Sequence, residues 1–194
     1  MNVAEAVGRT LAALGADHVF GVVGSGNFHV TNALVAGGAR FVAARHEGGA
    51  VTMADAYARV SGRVGVVTVH QGCGLTNTMT GLTEAAKSRT PLVLVAAEAT
   101  QPRSNFYVDQ AALAGDVGAV ADRVGSAESA VSDATRAFLL ARDDRRTVVL
   151  NLPLDVQAAD CPDPAPAATP SPPPPLAPAA DDAAALADLL AGAA

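Results

Sequence analysis

The sequence predicts an α/β fold, a three-layer sandwich in which a mostly parallel central sheet carries helices on both faces. Three observations lead there. Apolar runs of strand length alternate with segments of helical spacing. The runs are near-continuously apolar, as in Val64-Gly65-Val66-Val67-Thr68-Val69. A strand covered on both faces needs apolar side chains on both, which is how strands of a parallel sheet between helix layers read. Glycine-rich turns also stand where strands give way to helices, at Gly24-Ser25-Gly26 and Gly72-Cys73-Gly74.

Val3, Ala6, Val7, Leu11 and Leu14 share one face and predict a helix over residues 3–14, stopped by Gly15. A short strand over 18–23 leads into the first glycine turn and a helix over about 27–35. The next strand is 41–45. After it Ala50, Met53, Ala54, Tyr57 and Ala58 fall at helical spacing until Gly62 closes the run. A third strand, 64–69, precedes the second glycine turn and a helix over about 75–87. Strands follow at 91–97 and 147–152, with helical material between about 116 and 142. No internal repeat is visible.

The chain has 194 residues, half of them apolar but only 4% aromatic and with no Trp, so Val, Leu and Ala must build the core. The net charge of −6 and the lack of a basic patch argue against nucleic acid and anionic membranes as partners. The first residues lack the basic-then-apolar run of a signal peptide, and no apolar stretch approaches membrane-spanning length. Cys73 and Cys161 match no metal spacing and suggest no disulfide framework. The expectation is a soluble cytoplasmic protein.

Residues 1–160 read as one domain. Nine of the twelve prolines lie between 162 and 178, a composition that packs no core, so 161–180 reads as a semi-rigid linker. Beyond it, Asp181 and Asp182 are placed to cap a short helix with Leu186, Leu189 and Leu190 on one face. Such a face needs a partner surface from a further domain or a second chain; the alternative is a frayed tail.

Glu47, in Arg45-His46-Glu47-Gly48-Gly49-Ala50, is a lone carboxylate where a strand gives way to a helix. Open α/β sheets build their ligand sites at the carboxyl ends of strands. Enclosed by apolar walls, a carboxylate there can share a proton with a ligand nitrogen. Gly24-Ser25-Gly26 with Glu47 about twenty residues on imitates a dinucleotide fingerprint, but the third-glycine position is His29. No GxxxxGK[ST] segment occurs, which excludes a P-loop. In His70-Gln71-Gly72-Cys73-Gly74-Leu75-Thr76-Asn77 the glycines either admit a ligand to the backbone or make a tight turn with Thr76 and Asn77 satisfying the helix start. His70 is open to a structural or a catalytic role. Nothing in the sequence marks Cys73 as an activated thiolate, and it reads as a small buried thiol.

Together Gly21-Val22-Val23-Gly24, Arg45 to Ala50, Met53-Ala54-Asp55-Ala56-Tyr57-Ala58-Arg59, Gly72 to Asn77, Pro91-Leu92-Val93 and Asn151-Leu152-Pro153-Leu154-Asp155-Val156-Gln157 occur in order. This resembles the pyrimidine-binding (Pyr) domain of the thiamine-diphosphate-dependent acetolactate synthase and 2-oxoacid decarboxylase family, benzoylformate decarboxylase-like members included. The resemblance covers about residues 1 to 160, and the helix from Leu186 to Leu190 looks like the start of that family's central domain, truncated at 194.

The resemblance implies that Glu47 hydrogen-bonds the pyrimidine N1′ of thiamine diphosphate and favours the imino tautomer that activates the cofactor. It implies cofactor contacts from Gly24, Gly72, Gly74 and Asn77. Ser25 and His70 would handle the substrate carboxylate and protons, and Gln110 would lie near the reacting centre. The paired histidines of the pyruvate decarboxylase branch are missing, and Gly72-Cys73-Gly74 stands where Gly-Pro-Gly is frequent. Mg2+ and the diphosphate would be held by a Gly-Asp-Gly…Asn segment of a pyrophosphate-binding (PP) domain. This sequence has no such segment, so no metal ligand is assigned to it. FAD is possible in the family but not indicated here.

The first reading is therefore the Pyr portion of a lyase or carboligase acting on a small 2-oxoacid. It would work as a homodimer or with a PP-bearing partner chain, and would be inactive alone. The alternative is a non-catalytic, truncated Pyr-like dimerisation or regulatory module. A third reading, a dinucleotide protein with Glu47 on the ribose, predicts NAD binding instead.

Overall fold

A computed structural model describes residues 1–162, 170–171, 173–174 and 176–193. The elements in order are α1 (Val3–Ala13), β1 (His18–Gly21), α2 (Phe28–Ala36), β2 (Arg40–Ala43), α3 (Glu47–Ser61), β3 (Gly65–Val69), α4 (Cys73–Thr76) and α5 (Met79–Lys87). There follow β4 (Leu92–Glu98), α6 (Gln110–Asp116), β5 (Val120–Arg123), α7 (Ala130–Asp143), β6 (Thr147–Pro153), α8 (Leu154–Gln157) and α9 (Ala180–Ala191). Six strands form one sheet in the order β2-β1-β3-β4-β6-β5, and every pairing is parallel. The three-layer α/β fold expected from the sequence is the fold observed.

Alternate residues of the strands supply two cores. Val19, Val66, Val93, Val95, Val148 and Leu150 pack under α1, α2 and α7. On the opposite face Phe20, Val67, Val69, Leu94, Ala96 and Val149 pack under α3, α5 and α6. Both faces of β3, β4 and β6 are buried, which is why those runs are continuously apolar. Each fully buried Leu or Val contributes about 1.5–3 kcal/mol of transfer free energy.

Local chemistry sets the ends. Asn2 and Glu5 form a reciprocal capping box on α1, 2.9 and 3.1 Å. Gly62 ends α3 with φ +72°. The chain start is tied to residues 159–161 by Val3 N–H donating to the Ala159 carbonyl and Cys161 N–H to that of Met1.

Four local expectations are corrected. The stretch read as helix over 116–142 contains an edge strand, β5. Its burial alternates residue by residue around the charged Asp122 and Arg123, so it carries neither a helical stripe nor a buried run. The helix expected over 75–87 breaks into α4 and α5 at Asn77-Thr78, where the Thr78 hydroxyl donates to the Leu75 carbonyl. Cys73, read as a buried thiol, is exposed at the first turn of α4, while Cys161 is buried. Asp181 and Asp182 do not cap α9; it starts at Ala180, so they sit in its first turn, where carboxylates face the positive helix end. No residue of α9 is buried. Of the stretch expected as a linker, residues 163–169, 172 and 175 lie outside the described residues.

The strand order places the site. The chain runs from β1 outward to β2 under one helix layer and returns past β1 to β3 under the other. The loops leaving β1 and β3 therefore diverge to opposite faces. The crevice between them, at the carboxyl edge, is a topological switch point. A second lies between β4 and β6.

Candidate functional site

Glu47 is the first residue of α3, directly after the loop that leaves β2. His46 is its N-cap in extended conformation, and the His46 Nδ1 accepts the Gly48 N–H at 3.0 Å. A carboxylate in the first helical turn is favoured by the free N–H groups there. Glu47 is half-buried, so this chain does not itself supply the apolar enclosure envisaged for it. Asn77 Nδ2 donates to Glu47 Oε2 at 3.0 Å. Among the described residues nothing donates to Oε1. Beside the pair an open groove of about 760 Å³ runs between α3 and α5, lined among others by His46, Gly48, Thr52, Asn77, Gly81 and Glu84.

At the β1/β3 switch point the Ser25 hydroxyl stands 3.4 Å from His70 Nε2. His70 Nδ1 lies 3.1 Å from the Gln71 carbonyl. A carbonyl only accepts, so in the neutral ring Nδ1 carries the proton and the Nε2 lone pair faces Ser25. A Cβ on Gly24 would lie 2.5 Å from His70 Cδ2, so only glycine admits the ring this closely. Phe106 also meets it, edge to face, with centroids 5.1 Å apart.

Gly72 has φ +63° and ψ −103°, and a Cβ there would lie 2.3 Å from the Phe106 carbonyl oxygen. The turn needs glycine for both reasons. Its N–H donates to Gln110 Oε1 at 3.0 Å, and Gln110 Nε2 donates to Asn151 Oδ1 at 2.8 Å. Asn151 Nδ2 donates in turn to the Asp122 carbonyl at 3.1 Å. Gln110 is 1% exposed, with both ends of its amide engaged. Gly74 packs against His70, with its Cβ position 3.2 Å from the His70 Cβ.

The structure thus joins Glu47 to Asn77, Ser25 to His70, and Gln110 to the Gly72 turn. Among the described residues no hydrogen bond from side chain to side chain links these three groups. Asn77, weighed as a helix-start residue, closes α4 and turns its amide to Glu47 instead. Sequence reasoning passed over Phe106, Asn151 and the buried Asn27 and Thr68. The only signal available was polar residues in or beside apolar runs. It also passed over Glu98, the last residue of β4 and 4% exposed. Burial raises the Glu98 carboxyl; Arg123, which donates to Oε1, opposes the shift only in part, and Asp155 and Asp109 add to it.

A doubly covered parallel sheet with Glu47 and two glycine turns at its carboxyl edge has the build of a ligand-binding α/β domain. The chain belongs to the thiamine pyrophosphate enzymes: the model of their N-terminal thiamine-pyrophosphate-binding domain matches residues 1–120. It is 34% identical over 167 residues to the probable 2-ketoarginine decarboxylase of Pseudomonas aeruginosa, covering 82% of this chain and 30% of that protein. Against the sulfoacetaldehyde acetyltransferase of Rhodobacter capsulatus it is 31% identical over 180 residues, 86% of this chain and 30% of the relative. With the large subunit of acetolactate synthase isozyme 2 of Escherichia coli it shares 38% over 102 residues, 53% of this chain and 19% of that one. The chain therefore spans less than a third of the length of these relatives.

The residues suit the pyrimidine end of thiamine diphosphate. Among the described residues nothing donates to one Glu47 carboxylate oxygen, and Asn77 fixes the other. Among the described residues no group of three or more His, Cys, Asp or Glu could hold a metal ion, and no helix is long and apolar enough to cross a membrane.

Proposed function

We propose that this chain is the pyrimidine-binding part of a thiamine-diphosphate-dependent lyase or carboligase acting on a small 2-oxoacid. The observation that carries this is the half-buried Glu47 at the carboxyl edge of the sheet, with Oε2 tied to Asn77 and Oε1 open. Glu47 would hydrogen-bond the cofactor's pyrimidine N1′ and hold a shared proton there. Gly24, Gly72 and Gly74 would contact the cofactor by shaping the turns beside it, while Ser25 and His70 would bind the substrate carboxylate and move protons through Nε2. Bound thiamine diphosphate supplies the carbon nucleophile and the electron sink for decarboxylation. A PP domain, in another chain or a further segment, would hold Mg2+ and the diphosphate and bury Glu47. The α3–α5 groove beside Glu47 is where a second copy or that partner would seat. The domain is taken as 1–160, followed by a linker to 180 and the start of a central domain, in a cytoplasmic assembly.

The test is gentle isolation of the tagged chain from its source cells, with identification of bound protein and cofactor, followed by Glu47→Gln in the recovered assembly. Thiamine diphosphate, together with a partner carrying a Gly-Asp-Gly…Asn segment, is expected, and Glu47→Gln should abolish turnover. Isolation of the chain without cofactor or partner, or wild-type turnover in the variant, would overturn the proposal.

A further inference from the structure

Asn27 stands at the N-cap of α2 but makes no side-chain cap there. An asparagine at this place ordinarily accepts an N–H of its own helix. Here Oδ1 instead accepts the Gly24 N–H at 2.8 Å, and Nδ2 donates back to the Val22 carbonyl at 3.2 Å. One side chain thus closes both ends of the loop segment from Val22 to Gly24, immediately before Ser25.

The same Nδ2 donates to Thr68 Oγ1 at 3.2 Å. The Thr31 hydroxyl donates to the Asn27 carbonyl at 2.7 Å, so its own proton is used and it can only accept from Thr68, at 2.9 Å. Asn27 to Thr68, Thr68 to Thr31 and Thr31 back to Asn27 form a closed, one-directional ring of hydrogen bonds. Asn27 and Thr68 are 0% exposed and Thr31 is 3% exposed. With no water to compete, every member is satisfied only in this arrangement. Thr68 lies on β3 two residues before His70, paired in register with Gly21 of β1. The ring therefore couples the loop that carries Ser25 to the strand that delivers His70, across the β1/β3 switch point.

We infer that Asn27, through Thr68 and Thr31, is the positioning residue that sets Ser25 and Gly24 against the His70 imidazole. Gly24 is the bed on which the ring lies, and its N–H is held by Asn27. What the positioned pair does for substrate rests on the thiamine-diphosphate reading; the coupling itself does not.

The experiment is an NMR titration of the His70 Cε1–H in the full chain without cofactor, so loss of the cofactor reading leaves its result intact. Ser25→Ala is expected to move the His70 midpoint by about 0.3 pH units or more. Asn27→Ala and Thr68→Val should move it in the same direction by the same amount. Ser25→Ala combined with Thr68→Val should add nothing, and Thr68→Ser should restore the wild-type curve. Melting temperatures control for folding; if Asn27→Ala fails to fold, the Thr68 pair decides. A Thr68→Val curve identical to wild type overturns the inference. So does an effect that adds to that of Ser25→Ala, or a Ser25→Ala variant that leaves the midpoint in place.

Discussion

Asn77 Nδ2 lies 3.0 Å from Glu47 Oε2, so a residue on the break between α4 and α5 orients the carboxylate that opens α3. Asn77 closes α4 and the Thr78 that follows is the N-cap of α5, both with αR backbone angles.

Asn77→Ala should therefore separate stability from function. The pair is solvent-exposed, and its loss should change unfolding free energy by less than about 1 kcal/mol. Under the proposed function, turnover of the assembled enzyme should fall by about tenfold, because a misaligned Glu47 would hold the cofactor less well in register. Thermal melts with steady-state kinetics on one preparation check both halves.

Glycines at two places should respond in opposite senses. Gly72→Ala meets a positive φ and the Phe106 carbonyl at once and should destabilise by about 3 kcal/mol. Gly115→Ala, inside α6 with open space around its Cβ position, should stabilise by about 0.5–1 kcal/mol. Urea unfolding of the two variants measures the contrast.

Gln110→Ala strands the Gly72 N–H and Asn151 Oδ1, both left in a buried site. A loss of about 2–6 kcal/mol is expected, from about 1–3 kcal/mol for each of the two unpaired groups. Gln110→Glu keeps the acceptor for Gly72 but sets a carboxylate oxygen against Asn151 Oδ1, so it should rescue little. Chemical denaturation would show either variant at wild-type stability if the tether were unimportant.

Two carboxyls should give the stability curve opposite slopes. Glu98 is raised above its ordinary 4.5, chiefly by burial, so the folded state holds its proton to higher pH than the unfolded state. Its contribution is fully present below 4.5 and is lost as pH rises through the folded value. The stability of wild type relative to Glu98→Gln should accordingly decline across that window. For Asp133, burial alone would raise the carboxyl, but the Gly125 N–H, the Ser129 hydroxyl and Arg136 outweigh it and hold it below 3.8. Its contribution is present above 3.8 and lost as pH falls through the folded value. Asp133→Asn should be less stable than wild type at neutral pH, with the difference shrinking in acid. Unfolding curves from pH 2 to 7 test both signs.

The layers were legible because continuous apolar runs of strand length such as 64–69 and 91–97, alternating with helical spacing, fit strands buried on both faces. The turns at Gly24 and Gly72, the stop at Gly62 and the position of Glu47 were legible because glycine and a lone carboxylate at an apolar boundary are local signals. β5 was not, since four residues with alternating exposure at a sheet edge carry too little pattern.

What the sequence by itself determined was the layered α/β architecture and part of the chemistry at the carboxyl edge, Glu47, Ser25 and His70 among it. Which side chains meet was decided only by tertiary structure. Ser25 reaches His70 across 45 positions, Asn77 reaches Glu47 across 30, and Gln110 reaches Asn151 across 41. Those distances close because parallel crossovers bring the ends of β1, β2, β3 and β6 to one edge. Asn27, Thr68 and Thr31 close their ring for the same reason, and the local pattern shows only that Thr68 is polar within an apolar run. Short-range periodicity reports burial; it holds no information on which buried polar groups satisfy one another.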